Sequence, residues 1–260
     1  STLGRGGSDT SAVAIAAALK AERCDIYTDV DGVYTTDPRI VPEARKLRKV
    51  GYEEMLEMAS LGAKVLQTRS VELAAKEQVC LQVRSSFEDV PGTLLVNEDE
   101  IMERRKVTGV TYSQNDAKIT LIDVENVPGV ASKVFTPLAD AEINVDMIVQ
   151  NVSEDGLKTD MTFTVPKNDV EKAVKALEAG DFTCAKIISD SKVSKVSVIG
   201  IGMQSHAGIA QTMFSTLADK GINILVITTS EIKISVLIDE EYTELAVRAL
   251  HNAYELEEKK

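Results

Sequence analysis

Hydrophobic and polar positions change their period several times along this chain. After Ser11, every residue to Leu19 is Ala, Val, Ile or Leu, which predicts a helix buried on most of its faces. Cys24–Thr28 has the composition of a short strand, and Asp29-Val30-Asp31-Gly32 after it is turn chemistry. Met55, Met58 and Ala59 recur at i, i+3, i+4 and predict a helix over Glu53–Leu61; a second is expected over Ala63–Lys76. Leu81-Gln82-Val83-Arg84 alternates as a strand does, and Pro91-Gly92 turns the chain into Thr93–Val96. Helix and strand in alternation predict an α/β layered domain over residues 1–96. The polar stretch from Asn97 to Lys106 reads as a linker.

Beyond the linker the pattern repeats itself. Pro128-Gly129 aligns with Ala207-Gly208, Leu138-Ala139-Asp140 with Leu217-Ala218-Asp219, and Ile143-Asn144 with Ile222-Asn223, each at an offset of 79 residues. Each copy reads strand, glycine-containing turn, helix, strand, strand, helix. The strand signals are β-branched alternation in Lys118–Ile122, Asp160–Val165 and Lys233–Ile238. The helix signals are Val130–Ala139 and Val170–Leu177 in the first copy, Ile209–Ala218 and Glu244–His251 in the second. A βαββα unit needs one more strand to close a ferredoxin-like sandwich. Ala185–Ile188 is expected to supply it in the first copy and, more weakly, the tail after Tyr254 in the second. The units are therefore drawn at 1–96, 97–106 (linker), 107–190 and 191–260.

Composition narrows the functional classes. With 44% hydrophobic residues the chain has material for packed cores. The net charge is −12; residues 1–96 carry 12 basic and 14 acidic side chains and the remainder 17 and 27. This balance argues against nucleic acid or an anionic membrane as a partner. Three cysteines, Cys24, Cys80 and Cys184, stand far apart, as expected for a reducing, cytoplasmic setting without a disulfide framework or zinc site. No apolar run approaches a membrane span and no signal-peptide pattern opens the chain. Ser1 begins the chain inside a glycine-rich loop, so a piece of a longer protein is expected.

Two segments have the composition of a ligand site. Leu3-Gly4-Arg5-Gly6-Gly7-Ser8-Asp9-Thr10 brings backbone N–H groups, a helix N-terminus and the Arg5 fork to one place, which suits an anion. It lacks the Lys-Ser/Thr of a Walker A loop and the third glycine of a dinucleotide fingerprint; a glycine-rich turn capped by Ser8 or Asp9 explains it equally well. The segment Thr28-Asp29-Val30-Asp31-Gly32-Val33-Tyr34-Thr35-Thr36-Asp37-Pro38-Arg39 leaves a strand end, where ligands bind in α/β sheets, and on residue types alone an ordinary surface turn is the simpler reading. His206 and His251 lie in separate segments without ligand partners, so neither a metal centre nor a nucleophilic triad is expected.

In these motifs, in Glu54-Met55-Leu56-Glu57-Met58-Ala59 through Gly62-Ala63-Lys64-Val65-Leu66, and in the duplicated region, the chain resembles the aspartate kinase family. The resemblance implies the C-terminal part of an amino-acid-kinase αβα sandwich followed by two ferredoxin-like (βαββαβ) ACT domains. It implies phosphoryl transfer from ATP with Mg²⁺ to L-aspartate, the first step toward lysine, threonine and methionine, under feedback by lysine and/or threonine, with homo- or hetero-oligomers formed through the ACT domains. Carried over by residue, it implies Thr2, Arg5, Ser8 and Asp9 as the aspartate site, and Thr28, Asp29, Tyr34, Asp37, Arg39 and Lys64 as the nucleotide site. In the first ACT copy it implies Asn126, Gly129, Val130 and Ala131 as an effector loop, completed by Asn144, Val145, Asp146 and Gln150. In the second it implies Ile209, Ala210, Asn223, Ile224, Ser230 and Glu231.

A carboxylate acceptor is already ionised at neutral pH and needs no general base; it needs its repulsion from the phosphates cancelled. The family's Lys-Phe-Gly-Gly-Thr-Ser segment does not occur in this chain, so the chain alone is expected to be inactive. A regulatory and oligomerising module that binds lysine or threonine is the alternative to an enzyme.

Overall fold

The computed structural model describes residues 6–60, 65–101, 106–205 and 208–257. The N-terminal unit runs α1 (Gly7–Leu19), β1 (Cys24–Thr28), β2 (Lys49–Gly51), α2 (Tyr52–Ser60), α3 (Thr68–Glu77), β3 (Leu81–Ser85) and β4 (Thr93–Val96). Its sheet has the order β1-β3-β4-β2, with β1 parallel to β3, β3 antiparallel to β4 and β2 parallel to β4. Val13, Ile26, Val50, Met55, Met58, Leu81, Val83 and Leu95 share one core, so the methionines at helical spacing are core residues as expected.

Two expectations for this unit need correction. Helix α1 is buried on one side only, through Val13 and Ala16, while Ile15 and Leu19 are 59% and 75% exposed. The cause is its position over β1, an edge strand, which leaves the outer face of the helix without a neighbour. Helix α3 starts at Thr68, because Gln67 is extended (φ −81°, ψ 134°); Ala63, where the helix was expected to begin, lies outside the described residues.

The repeated region continues with β5 (Gly109–Ser113), β6 (Asp116–Glu125), α4 (Val130–Asp140), β7 (Asp146–Val152), β8 (Lys158–Pro166), α5 (Val170–Glu178), β9 (Lys186–Asp190), β10 (Val193–Ile199), α6 (Ile209–Asp219), β11 (Val226–Thr229), β12 (Lys233–Asp239) and α7 (Thr243–Ala253). The first sheet has the order β7-β8-β6-β9 and the second β11-β12-β10-β5. Strand β9, where Ala185–Ile188 was expected, closes the first sheet against β6.

The second sheet closes differently from the sequence expectation. Its fourth strand is β5, paired antiparallel to β10 from Lys195↔Ser113 to Ile199↔Gly109. The tail after Tyr254 instead makes one bridge, Glu257 to Ala44. Strand β10 is buried at every position and requires a partner along its whole length, which the short acidic tail cannot supply. Residues 109–113, drawn with the first copy, therefore belong to the second sheet.

Apolar and ionic contacts join the units. Ile40, Val41 and Ala44 of the N-terminal unit are buried in the core that Ile209, Met213, Val247 and Leu250 build in the second repeat. Between the repeats, Lys195 Nζ lies 2.8 Å from Asp146 and 3.3 Å from Asp116. Burial works against that ammonium, but the two carboxylates outweigh it and hold its pKa above the ordinary lysine value. Among the described residues no helix is long and apolar enough to cross a membrane.

Candidate functional site

Helix α1 and strand β1 are joined by four residues, Lys20–Arg23. So short a connection makes the helix run back along the strand, placing the α1 N-terminus at the carboxyl end of β1. Ser8 and Asp9 occupy the first turn of α1, with Gly6 in the left-handed conformation before it (φ 76°). Thr28 and Asp29 leave β1 at the same edge, and β3, parallel to β1, ends there at Ser85. This is where open α/β sheets bind ligands. Ser8 Oγ donates to Asp9 Oδ1 at 3.3 Å, and Thr28 Oγ1 to Asp29 Oδ1 at 3.1 Å. Thr2, Arg5 and Lys64 lie outside the described residues.

The loop after Asp29 is tied down at almost every polar position. The Tyr34 hydroxyl donates to Asp31 at 2.9 Å, and Lys46 Nζ donates to the other Asp31 oxygen at 2.9 Å. These bonds overcome burial and draw the Asp31 pKa below its ordinary value. Arg39 grips Asp37 through Nε (3.0 Å) and Nη2 (2.7 Å), and Tyr112 of β5 donates to the same carboxylate at 3.2 Å. The Arg39 bonds hold the Asp37 carboxyl below its ordinary range. Arg39 itself is 87% exposed in its side chain, so the remainder of its fork faces solvent.

The residues implied as effector ligands fall into two sets. Gly129 (φ 88°) and Gly208 (φ 96°) precede α4 and α6 in the left-handed conformation, and a Cβ at either would meet nothing within 4 Å. Both helices therefore present open N-termini, with Val130 and Ile209 buried behind them. Asn144 and Asn223 are exposed past the far ends of the same helices. An 11-residue helix is about 16 Å long, so within one repeat Gly129–Ala131 and Asn144–Asp146 cannot line one small-molecule pocket.

The individual side chains sharpen this division. The Asn126 amide donates to the Gly156 carbonyl at 2.8 Å and supports the β7–β8 hairpin. Gln150 lies toward the hairpin end of β7, the Asn126 end, and is exposed. Asn144 and Val145 line both a 470 Å³ cleft with Phe135 and Ile148 and a 190 Å³ cleft with Asp146 and Lys195. The Asp146 carboxylate is engaged by Lys195. In the second repeat, Ala210 and Ile224 are half-buried and Ser230 and Glu231 exposed.

Sequence reasoning missed a set of residues that join the N-terminal unit, the candidate nucleotide loop included, to the second repeat. Thr35 Oγ1 lies 2.9 Å from His251 Nε2, both buried. Arg248 Nε donates to the Ile40 carbonyl at 3.0 Å. Buried Glu54 accepts from Thr108 Oγ1 at 2.6 Å and from the Ile201 N–H at 2.9 Å, and Glu57 pairs with Lys233 at 2.8 Å. One signal was available: Thr243, Ala246, Val247, Leu250 and His251 recur at helical spacing and form the buried face of α7. A histidine on that stripe needs an internal partner.

Comparison with known proteins agrees with this architecture. Residues 1–85 match the amino acid kinase family, and residues 119–180 and 196–254 match the ACT domain. The aspartate kinase of Pseudomonas putida is 56% identical over 98% of the chain. The chain spans 63% of that relative's length. The structure of E. coli aspartokinase III in complex with aspartate and ADP aligns over 97% of the chain and 57% of its own length, with TM-score 0.83 and 29% identity. The regulatory subunit of aspartate kinase from Thermus thermophilus aligns over 57% of the chain and 99% of its own length, with TM-score 0.53 and 40% identity. A kinase unit and two ACT repeats, matched in this order by relatives of this closeness, mean that the chain belongs to the aspartate kinase family.

Proposed function

We propose that the protein carrying this chain is an aspartate kinase that transfers the γ-phosphoryl of ATP to the 4-carboxylate of L-aspartate, yielding 4-phospho-L-aspartate and ADP. The observation that carries this reading is the meeting of the α1 N-terminus and the Thr28–Arg39 loop at one sheet edge, in a chain 56% identical to an aspartate kinase. The likeness to a structure described as holding aspartate and ADP supports it. Thr2, Arg5, Ser8 and Asp9 are assigned to the amino acid, with Arg5 as the fork for a substrate carboxylate. Thr28, Asp29, Tyr34, Asp37, Arg39 and Lys64 are assigned to the nucleotide. Mg²⁺ enters with ATP, largely held by its phosphates and water, and neutralises developing charge.

Arg39 is preset for such a role by Asp37, which takes two of its N–H groups and leaves the rest of the fork turned outward. The exposed apolar residues Ile15, Leu19 and Tyr27 along the α1–β1 edge are assigned to contact with the part of the enzyme outside this chain, since the chain spans 63% of its relative. A cytoplasmic enzyme is in keeping with the three free cysteines.

The ACT repeats are assigned to binding L-lysine and/or L-threonine. Because the helix N-termini and the asparagines lie at opposite ends of α4 and α6, each effector site combines a helix N-terminus from one copy with an asparagine loop from another. Assembly through the ACT units therefore belongs to the reading.

Hydroxamate formation by the full-length enzyme with ATP, Mg²⁺ and L-aspartate tests it. Arg5→Ala is expected to raise the aspartate KM at least tenfold, the cost of one charge-assisted pair, with ATP KM within twofold. A raised ATP KM beside an unchanged aspartate KM would show that the loop serves the other substrate. A second reading, a regulatory subunit without catalysis, is favoured by the 99% coverage of the Thermus regulatory subunit; turnover in this assay by the full-length protein, with a Lys-Phe-Gly-Gly segment encoded upstream, separates the two.

A further inference from the structure

We propose that His251 is a positioning residue for the candidate nucleotide loop, the side chain through which the second ACT repeat sets the geometry of that loop and so its affinity for nucleotide. The inference rests on reading residues 28–39 as the nucleotide loop. Thr35 is the hub of the loop. Its N–H donates to the Arg45 carbonyl at 3.0 Å, its hydroxyl oxygen accepts from the Arg45 N–H at 3.0 Å, and its carbonyl accepts from the Val110 N–H of β5 at 2.7 Å. The fourth contact is His251 Nε2 at 2.9 Å, from a residue 216 positions away. Thr35 and His251 are both fully buried.

His251 is an expensive residue for packing alone. Its Nδ1 is buried without a hydrogen-bond partner, and a leucine or phenylalanine would fill the face of α7 without that cost. What the imidazole adds is one bond to Thr35. On the same helix Arg248 holds the Ile40 carbonyl, and Ile40, Val41 and Ala44 pack in the core shared with α6 and α7. Helix α7 thus grips the loop on both sides of Asp37 and Arg39. A displacement of α7 moves Thr35 and with it the residues assigned to ATP, and by linkage nucleotide binding acts back on the repeat.

The test is the affinity of the full-length enzyme for the non-hydrolysable analogue AMP-PNP with Mg²⁺, by calorimetry, beside its affinity for L-aspartate. His251→Phe is expected to weaken AMP-PNP three- to tenfold with aspartate within twofold. His251→Gln, whose amide reaches the Thr35 hydroxyl, is expected to recover most of that loss. Thr35→Val, nearly isosteric, should lose at least as much as His251→Phe, because it also strands the Arg45 N–H, and the double variant no more than Thr35→Val alone. Should His251→Phe fail to fold, Thr35→Val and His251→Gln carry the test. An unchanged AMP-PNP affinity in Thr35→Val, no recovery in His251→Gln, or additive losses would overturn the proposal, as would an enzyme that binds no AMP-PNP. Because turnover is not the readout, an enzyme that binds AMP-PNP but does not phosphorylate aspartate would count against the proposed function alone.

Discussion

The two ACT repeats share a strand order and a helix arrangement, yet they are embedded in opposite ways. The first closes with its own strand, β9, and carries an edge strand, β7, whose Ile148, Val149 and Val152 are exposed. The second borrows β5 from upstream, buries every residue of β10, and is bonded to the kinase unit through Thr35, Ile40, Glu54 and Glu57. Duplication therefore produced one repeat that presents surface and one that is built into the N-terminal unit. On the proposed function, a signal that begins at the first would reach the 28–39 loop through the second; Lys195, bridging Asp116 and Asp146, stands at the joint between the repeats.

The largest way to break this division is at that joint. Lys195→Met removes a buried cation and strands the largely buried Asp116 carboxylate, while the more exposed Asp146 rehydrates, which costs about 3 kcal/mol. Denaturant unfolding is expected to show that loss, and a change below about 0.5 kcal/mol would mean that the Lys195 bridge does not hold the repeats together. The next effect is at Glu54. Glu54→Leu leaves the Ile201 N–H and the Thr108 hydroxyl without their acceptor, for about 2 kcal/mol. Hydrogen exchange should then rise in β10 and the residues that follow it and stay level in β6 and β8. Equal loss in both repeats would contradict the asymmetry.

A smaller effect is set by pH. Burial, opposed by Glu43 and aided by Arg45, pushes the His251 imidazole below the ordinary histidine value of about 6.5. The unfolded chain then takes up a proton that the folded chain refuses, so stability is fully present above about 6.5 and is lost as pH falls from there toward the lower folded value. His251 lies on α7 of the second repeat, so mild acid should loosen that repeat first. His251→Gln should flatten the pH dependence between pH 7 and 5.5; an unchanged slope would place its origin elsewhere.

Most elements were legible because their signals are local. The methionine spacing in α2, the β-branched alternation of β6, β8 and β12, and the 79-residue offset that superposes α4 on α6 each need only neighbouring residues to be read. The closing strand of the second repeat was not legible: Gly109–Ser113 lies outside the repeated segment, and nothing local says that it pairs with β10 and not with the adjacent β6. The exposed side of α1 was missed because an apolar run does not reveal that its strand is at an edge. At the site, the chemistry of Ser8, Asp9 and the 28–39 loop could be read from residue types. The bonds of Asn126 to Gly156, Asp146 to Lys195 and Thr35 to His251 span 30, 49 and 216 residues and arise only when the units pack.

The most direct test of the split between a sensing and a transmitting repeat is amide hydrogen exchange in the full-length enzyme, with and without saturating L-lysine and L-threonine. The account predicts altered protection at the α4 and α6 N-termini, in α7, and at the Thr35 and Arg45 N–H groups, which donate to the Arg45 carbonyl and the Thr35 hydroxyl; the D-enantiomers should change none of them. Protection confined to the ACT repeats, with Thr35 and Arg45 unmoved while activity falls, would contradict it.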